Sequence, residues 1–147
     1  MNKNILKHVI RYILIICIIV LCCKIFSFSS QDGGVSADTS RQFTEIVLKI
    51  LGLECNDRTI EIINPVIRKV AHFSVYMLLG ALTMLTCETF KWQRAYKFDF
   101  SIMFAFVFAC SDELHQRLVP GRSGELADVC LDTVGAMLGV LIVLAIA

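Results

Sequence analysis

The sequence predicts an all-α integral membrane protein, in which four membrane-spanning helices form a bundle and an amphipathic surface helix lies in the first extracytoplasmic loop. Hydrophobic residues make up 56% of the 147 residues, and the mean hydropathy is +0.70, whereas soluble domains contain roughly 45–50% apolar residues. The length suits a single domain, residues 1–147. The formal net charge of +1 provides no basic field for nucleic acid.

Four apolar segments are long enough to cross a bilayer, whose hydrocarbon core requires about 20 helical residues. These segments are residues 9–28, 70–87, 98–118 and 126–147. Lys3, Lys7 and Arg11 precede the first segment, as in a signal peptide, but no small-residue cleavage site follows it. We therefore expect the first segment to remain as an uncleaved membrane helix.

The flanking charges predict a multi-pass protein of the cell membrane with both termini in the cytoplasm. The N-terminal tail is basic and lacks acids, and the short connection after the second span carries Lys91, Arg94 and Lys97 against Glu88. Short basic segments are retained on the cytoplasmic side of a membrane.

The loop after the first span contains a further helical pattern. The Gln-Asp-Gly-Gly sequence at 31–34 is typical of a turn. From Ser40 onward, apolar residues recur at helical spacing, which predicts a short amphipathic helix on the outer membrane surface or, alternatively, a soluble cap packed on the bundle. Asn64 and Pro65 are predicted as the N-cap and first helical residue of the second span. The apolar residues are Phe43, Ile46, Val47, Ile50 and Leu51.

Ionisable residues interrupt the last three spans near one end of each. Charges inside a bilayer are costly, so such residues are candidates for function. A helical rise of about 1.5 Å per residue places His72, Asp112 and Asp132 each roughly 22–24 Å from the presumed cytoplasmic boundary, in the outer third of the bilayer. Equal depth on three helices predicts one outward-facing site.

Helical spacing also places these residues on shared faces. Arg68, His72 and Tyr76 form one stripe of the second span. Gly135 and Gly139 lie below the carboxylates of the fourth span, and glycines at this spacing allow a neighbouring helix to approach closely. The residues 119–124 form a predicted tight turn that keeps the polar ends of the last two spans adjacent.

These faces predict one cavity that opens toward the outer leaflet. Arg68 is expected to reach a carboxylate directly or through one water, because an unpartnered guanidinium is costly at this depth. The carboxylates that Arg68 is expected to reach are Asp112, Asp128 and Asp132. The side chains expected to line the cavity are His72, Asp112, Glu113 or His115, and Asp132, with Arg68 and Arg122 at its rim.

Several motifs resemble those of one family. They are Phe28-Ser29-Ser30-Gln31; Arg68-Lys69-Val70-Ala71-His72-Phe73 with Tyr76 and Gly80; Asp112-Glu113-Leu114-His115-Gln116; Pro120-Gly121-Arg122; and Asp128-Val129 with Asp132 and Gly135. On these residues the chain resembles the VanZ-like family of small bacterial membrane proteins. Many members carry a carboxylate where this chain has Val75. The resemblance implies a place in the cell envelope and a link to susceptibility to teicoplanin-type glycopeptides, without defining a reaction.

The candidate site residues fall into two groups. The first could perform acid–base catalysis, and the second could bind a substrate. We expect no cofactor and no metal, although Asp112 and His115, together with Asp128 or Asp132, form an alternative divalent-metal site. The candidate catalytic residues are His72, Asp112, Glu113, His115 and Asp132. The candidate binding residues are Arg68, Gln116, Arg122, Asp128, Tyr76 and Gln31.

The sequence favours a modulator of susceptibility to lipophilic glycopeptides, which acts through the outward-facing polar site. It leaves open whether turnover occurs. One alternative is a membrane enzyme acting on a lipid-linked or phospholipid envelope substrate by carboxylate and histidine chemistry, and a second is an oligomeric proton-coupled carrier. A purely structural role in locking helices together is a further alternative. The expected partners are membrane lipids and a lipoglycopeptide antibiotic or lipid-linked envelope precursor.

Overall fold

The computed structural model describes residues 3–146, so the last residue of the predicted fourth span, Ala147, lies outside the described part. The described residues form five α-helices and no strand, which confirms the all-α prediction for this part of the chain. The helices are α1 (Lys3–Ser29), α2 (Gly33–Ile50), α3 (Asp57–Glu88), α4 (Arg94–Gln116) and α5 (Leu126–Ile146).

Three described helices, α1, α3 and α5, are long and apolar enough to cross a membrane. They contain the first, second and fourth predicted spans. The predicted span at 98–118 corresponds to α4, which is not among the three because Asp99, Asp112 and Glu113 add charge to an otherwise apolar helix. The helix also ends at Gln116, before the predicted boundary. Passage of α4 through the bilayer therefore stays a prediction.

The helix that contains the second span begins earlier than predicted. Asn56 caps α3 by accepting a hydrogen bond from the Thr59 backbone N–H (2.8 Å), and Pro65 lies inside the helix. The prediction that Asn64 is the N-cap is wrong. The Asn64 side chain instead accepts hydrogen bonds from Ser40 (2.5 Å) and Thr44 (2.8 Å), which attaches α2 to α3.

Helix α2, which contains the segment predicted to be amphipathic, begins earlier than predicted. Asp32 caps it by accepting a hydrogen bond from the Val35 backbone N–H (2.9 Å), so the two glycines at 33–34 belong to the helix rather than to a turn. Leu48 is fully buried, and α2 packs on α3. Most of the predicted apolar row faces outward, with exposed fractions of 52% for Phe43 and 54% for Ile46. Contact of this row with a bilayer stays a prediction.

Glycines bring α3 and α5 into close backbone contact. A Cβ atom on Gly135 or Gly139 would collide with the carbonyl oxygen of Phe73 or Met77 in α3, and one on Gly80 would collide with α5. The glycine spacing in the last span thus allows the close approach that the sequence predicts, and α3 is the neighbour concerned.

Contacts at both ends hold α1 alongside the other helices. Arg11 donates hydrogen bonds to the Thr89 hydroxyl (2.8 Å) and carbonyl (2.6 Å) in the α3–α4 turn, and its guanidinium lies 4.0 Å from the Phe90 ring centroid. At the opposite end, Arg122 in the α4–α5 turn donates to the Phe28 carbonyl (2.9 Å). The end of α1 is thereby placed beside the polar ends of α3, α4 and α5.

Candidate functional site

The centre of the site is a pair of side chains from α3 and α5. His72 Nδ1 lies 3.9 Å from Asp132 Oδ2, which is within ion-pair range but beyond hydrogen-bonding distance. Asp132 is fully buried, and neither of its oxygens has a hydrogen-bond partner among the described residues. The pair forms at the level where Gly135 allows the two helices to touch.

Two more buried polar groups lie near Asp132. Asp112 on α4 is 1% exposed, and its Oδ2 accepts a hydrogen bond from Gln116 (3.1 Å). Tyr76 is fully buried, and it lies close enough to Asp112 and Asp132 to interact electrostatically with both. Asp112 Oδ1 and Tyr76 Oη have no hydrogen-bond partner in the described part of the chain. Each unsatisfied buried polar group lowers the stability of the fold by about 1–3 kcal/mol, so this cluster is poorly suited to a purely structural role. We call Tyr76, Asp112 and Asp132 the acid cluster.

Glu113 joins α4 to the start of α5. It is buried, and its two carboxylate oxygens accept hydrogen bonds from the Gln116 amide (3.0 Å) and the Glu125 backbone N–H (3.0 Å). Gln116 therefore donates to both Asp112 and Glu113, while its own carbonyl oxygen accepts from Arg122 (3.0 Å). The Gln116 amide lies between the guanidinium and both carboxylates.

Arg122 contacts only neutral acceptors. Besides Gln116 it bonds the Phe28 carbonyl, and its Nε is buried without a hydrogen-bond partner among the described residues. Burial and then the charge of Arg68 lower the pKa of the Arg122 guanidinium, whereas Asp112 and Glu113 oppose this effect. No carboxylate in the described chain contacts Arg122 directly.

His115 points away from the acid cluster. Its Nε2 lies 3.0 Å from Ser30 Oγ, and its ring stacks on Phe26 with centroids 4.2 Å apart. It therefore binds α4 to the end of α1, although the sequence grouped it with Asp112. Residues 4–146 contain no group of three or more His, Cys, Asp or Glu side chains arranged to hold a metal ion.

Arg68 makes no direct contact with a carboxylate among the described residues, and the water-mediated contact that the sequence also allows stays a prediction. The next residue, Lys69, forms an ion pair with Asp128 in the first turn of α5, with Nζ 3.6 Å from Oδ1. Arg68 is exposed and has no ion pair or hydrogen bond within the described chain. The two side chains leave the helix in different directions, and only that of Lys69 meets α5.

A cavity of about 470 Å³ lies between α1, α2 and α3. Its polar lining includes the stripe of α3 that the sequence predicts, together with Arg122 and Gln31. Most of the remaining lining is apolar and comes from all three helices. The stripe consists of Arg68, His72 and Tyr76, and the apolar residues include Leu21, Ile25, Phe28, Phe43, Ile67 and Val75. We call this space the amphipathic cavity.

A smaller cavity of about 280 Å³ lies on the other side of the same stripe. It shares Arg68, His72 and Ser40 with the amphipathic cavity. Its remaining lining is largely polar, and includes Asn64, Lys69, Ser123, Glu125 and Asp128. We call it the polar cavity.

The site therefore has two layers rather than the single cavity that the sequence predicts. Arg68, Arg122 and His72 line open space, whereas Asp112, Glu113 and Asp132 are buried and line neither cavity. Asp112 and Glu113 lie on α4, which lines neither cavity, and Asp132 is buried on α5. His72 and Tyr76 belong to both layers.

Sequence reasoning missed several residues of the site. Phe26 supports His115, Glu125 donates its backbone N–H to Glu113, and Ser40 and Asn64 line the polar cavity. Phe26, Glu125 and Ser40 carry no motif in the sequence. Asn64 preceding a proline was the strongest signal, and it indicated a helix start instead.

A family model described as VanZ/LLP1 matches residues 14–147, nearly the whole chain and all the residues of both cavities. No curated protein matches the chain, and no solved structure matches it.

Proposed function

Because the chain belongs to the VanZ/LLP1 family, we propose that it modulates the susceptibility of the bacterial cell envelope to lipophilic glycopeptides of the teicoplanin type. Family membership and the three apolar helices indicate a membrane protein. In the proposed arrangement, four helices cross the membrane, both termini are cytoplasmic, and the amphipathic cavity opens toward the outer leaflet. The protein acts by binding an amphiphile, which is the antibiotic or an envelope lipid that the antibiotic engages.

The observation that supports binding is the lining of the amphipathic cavity. Arg68, Arg122 and His72 lie on its polar side, and apolar residues such as Leu21 and Val75 line the rest. Small-molecule sites combine apolar walls with a few polar groups in this way, and they have volumes of about 300–1,000 Å³. A cavity of about 470 Å³ is large enough for part of an amphiphile.

Drug-susceptibility testing examines this proposal directly. A host expressing the wild-type chain should need a different teicoplanin concentration for inhibition than the host with an empty vector. Arg68→Gln should abolish that difference, since Arg68 lines both cavities and makes no contact that folding requires. Arg58→Gln is the matched control, an exposed arginine on the same helix that lines neither cavity. Equal effects of the two variants, at equal membrane levels, would contradict the proposal.

A second candidate function, acid–base catalysis on an envelope lipid, is favoured by the His72–Asp132 pair. Asp132 lies behind the imidazole with Oδ2 at 3.9 Å from Nδ1, while His72 lines both cavities. A carboxylate in this place orients the ring and stabilises its charged form, so that Nε2 can accept and return a proton at a substrate in the cavity. His72→Gln and Asp132→Asn should then abolish turnover of a labelled envelope lipid, while Arg68→Gln should mainly raise KM.

A further inference from the structure

We propose that the amphipathic cavity selects amphiphiles that carry a phosphate group, which Arg68 and Arg122 hold between them. The proposal rests on the proposed function and names the ligand class for that site.

The charge around the cavity is unbalanced. Among the cations that line it, His72 has the Asp132 carboxylate within 4 Å, whereas Lys24, Arg68 and Arg122 contact no carboxylate among the described residues. Arg68 has no direct partner in residues 4–146. Together with Arg122, it leaves two guanidiniums on one cavity without a contacting carboxylate.

These two cations are close enough to affect each other. The positive charge of Arg68 repels that of Arg122 and lowers the pKa of the Arg122 guanidinium. Like charges repel, and an anion placed between them offsets the repulsion. The arrangement is therefore more stable with an anionic ligand than without one.

Gln116 explains why the protein's own acids do not supply that anion. Its amide nitrogen is engaged by Asp112 (3.1 Å) and Glu113 (3.0 Å), and its carbonyl oxygen accepts from Arg122 (3.0 Å). The neutral amide thus lies between the guanidinium and both carboxylates, so neither carboxylate contacts Arg122 directly.

The number of donors favours phosphate over carboxylate. Arg68 has a complete guanidinium without a partner in the described chain, and Arg122 has an unsatisfied Nε, so an anion in the cavity can accept hydrogen bonds from both side chains. A phosphate group offers three or more acceptor oxygens and pairs with arginines in a bidentate manner, whereas a carboxylate offers two.

The apolar wall requires a hydrocarbon chain on the same ligand. Leu21, Ile25 and Phe28 on α1 and Val75 on α3 line this wall. A hydrocarbon chain can pack against these side chains without burying an unpaired polar group. The polar cavity, which begins on the other side of Arg68, can accept the remainder of a headgroup.

The test uses the full-length protein in neutral detergent micelles and a matched set of tail-labelled lipids. Phosphatidic acid and diacylglycerol differ by the phosphate alone, and a labelled fatty acid provides the carboxylate. We expect phosphatidic acid to bind at least about tenfold more tightly than diacylglycerol and than the fatty acid, a preference equivalent to about 1.4 kcal/mol. Equal binding of phosphatidic acid and diacylglycerol would overturn the proposal, and tighter binding of the fatty acid would do the same.

The variants locate the binding. Arg68→Gln and Arg122→Lys should each weaken phosphatidic acid binding about tenfold, as expected for a lost or weakened charge-assisted contact. Arg58→Gln should leave it unchanged. Leu21→Trp, which fills the apolar part, should weaken phosphatidic acid and diacylglycerol alike. If Arg122→Lys fails to fold, Arg68→Gln still decides the result, and no effect of Arg68→Gln would reject the proposal.

Two further results separate this inference from the proposed function. Displacement of the labelled lipid by inorganic phosphate at similar concentrations would assign the site to free phosphate and reject an amphiphile. Loss of the glycopeptide effect in Arg68→Gln without any preference for phosphatidic acid would reject the ligand class and leave the proposed function standing. Phosphate-dependent binding without a glycopeptide effect would support the ligand class and reject the proposed function.

Discussion

His72 Nδ1 and Asp132 Oδ2 lie 3.9 Å apart, on two helices that glycines hold in backbone contact. One member of the pair reaches the cavities and the other is fully buried. The pair therefore connects the open, cation-lined layer of the site to the buried acid cluster, and a ligand beside His72 would act electrostatically on the acids behind it.

The Asp132→Asn variant should be more stable than the wild type while losing the glycopeptide effect. Both carboxylate oxygens lack hydrogen bonds in the described chain. The free energy lost when a buried charge is dehydrated exceeds the attraction of a partner as far away as His72. We expect a gain of about 1 kcal/mol, measured by unfolding in detergent. Asp128→Asn is the control, because its carboxylate is partly exposed. Strong destabilisation by Asp132→Asn would show that the acid is a structural group.

Alanine substitutions at two helical glycines should have opposite effects. Gly139→Ala places a methyl group against the Met77 carbonyl and should destabilise the protein by about 1–3 kcal/mol or more. Gly34→Ala meets only an ordinary contact with the Asp32 side chain, and should stabilise α2 by about 0.4–1 kcal/mol. Unfolding midpoints in one detergent compare the two. Similar effects would mean that α3 and α5 do not touch through their glycines.

Reporter fusions test the topology. An extracytoplasmic reporter should be active within residues 32–61 and within the turn at 121–124, and inactive after Lys91 or at the C-terminus. This pattern requires α4 to cross the bilayer despite its charges. A cytoplasmic turn at 121–124 would place both cavities on the inner face and exclude direct contact with an external glycopeptide.

The exposed face of α2 should contact lipid. In a Trp92→Phe background, which contains no other tryptophan, Ile46→Trp should be quenched by brominated lipids in nanodiscs, because Ile46 is exposed and lines neither cavity. Lys49→Trp lies on a basic part of the same helix and should be quenched by aqueous acrylamide instead. Acrylamide quenching of both positions would support the soluble-cap alternative.

Patterns of one-dimensional spacing account for what the sequence predicted well. The apolar segments, the stripe of Arg68, His72 and Tyr76, and the glycine face of α5 follow from hydropathy and a helical period. The VanZ-like motifs likewise anticipated the family match. These features depend on neighbours within one helix, so no knowledge of the fold is needed to find them.

Other features depend on which helices touch, and only the tertiary structure decides them. Asn64 bonds to α2 rather than starting α3, His115 stacks on α1, and Lys69 rather than Arg68 meets Asp128. Each outcome depends on the direction in which one side chain leaves its helix toward a partner far away in sequence. The separation of buried acids from open arginines has the same origin, because Asp112 and Glu113 lie on α4, which lines neither cavity, whereas Arg68 lies on the face of α3 that lines both.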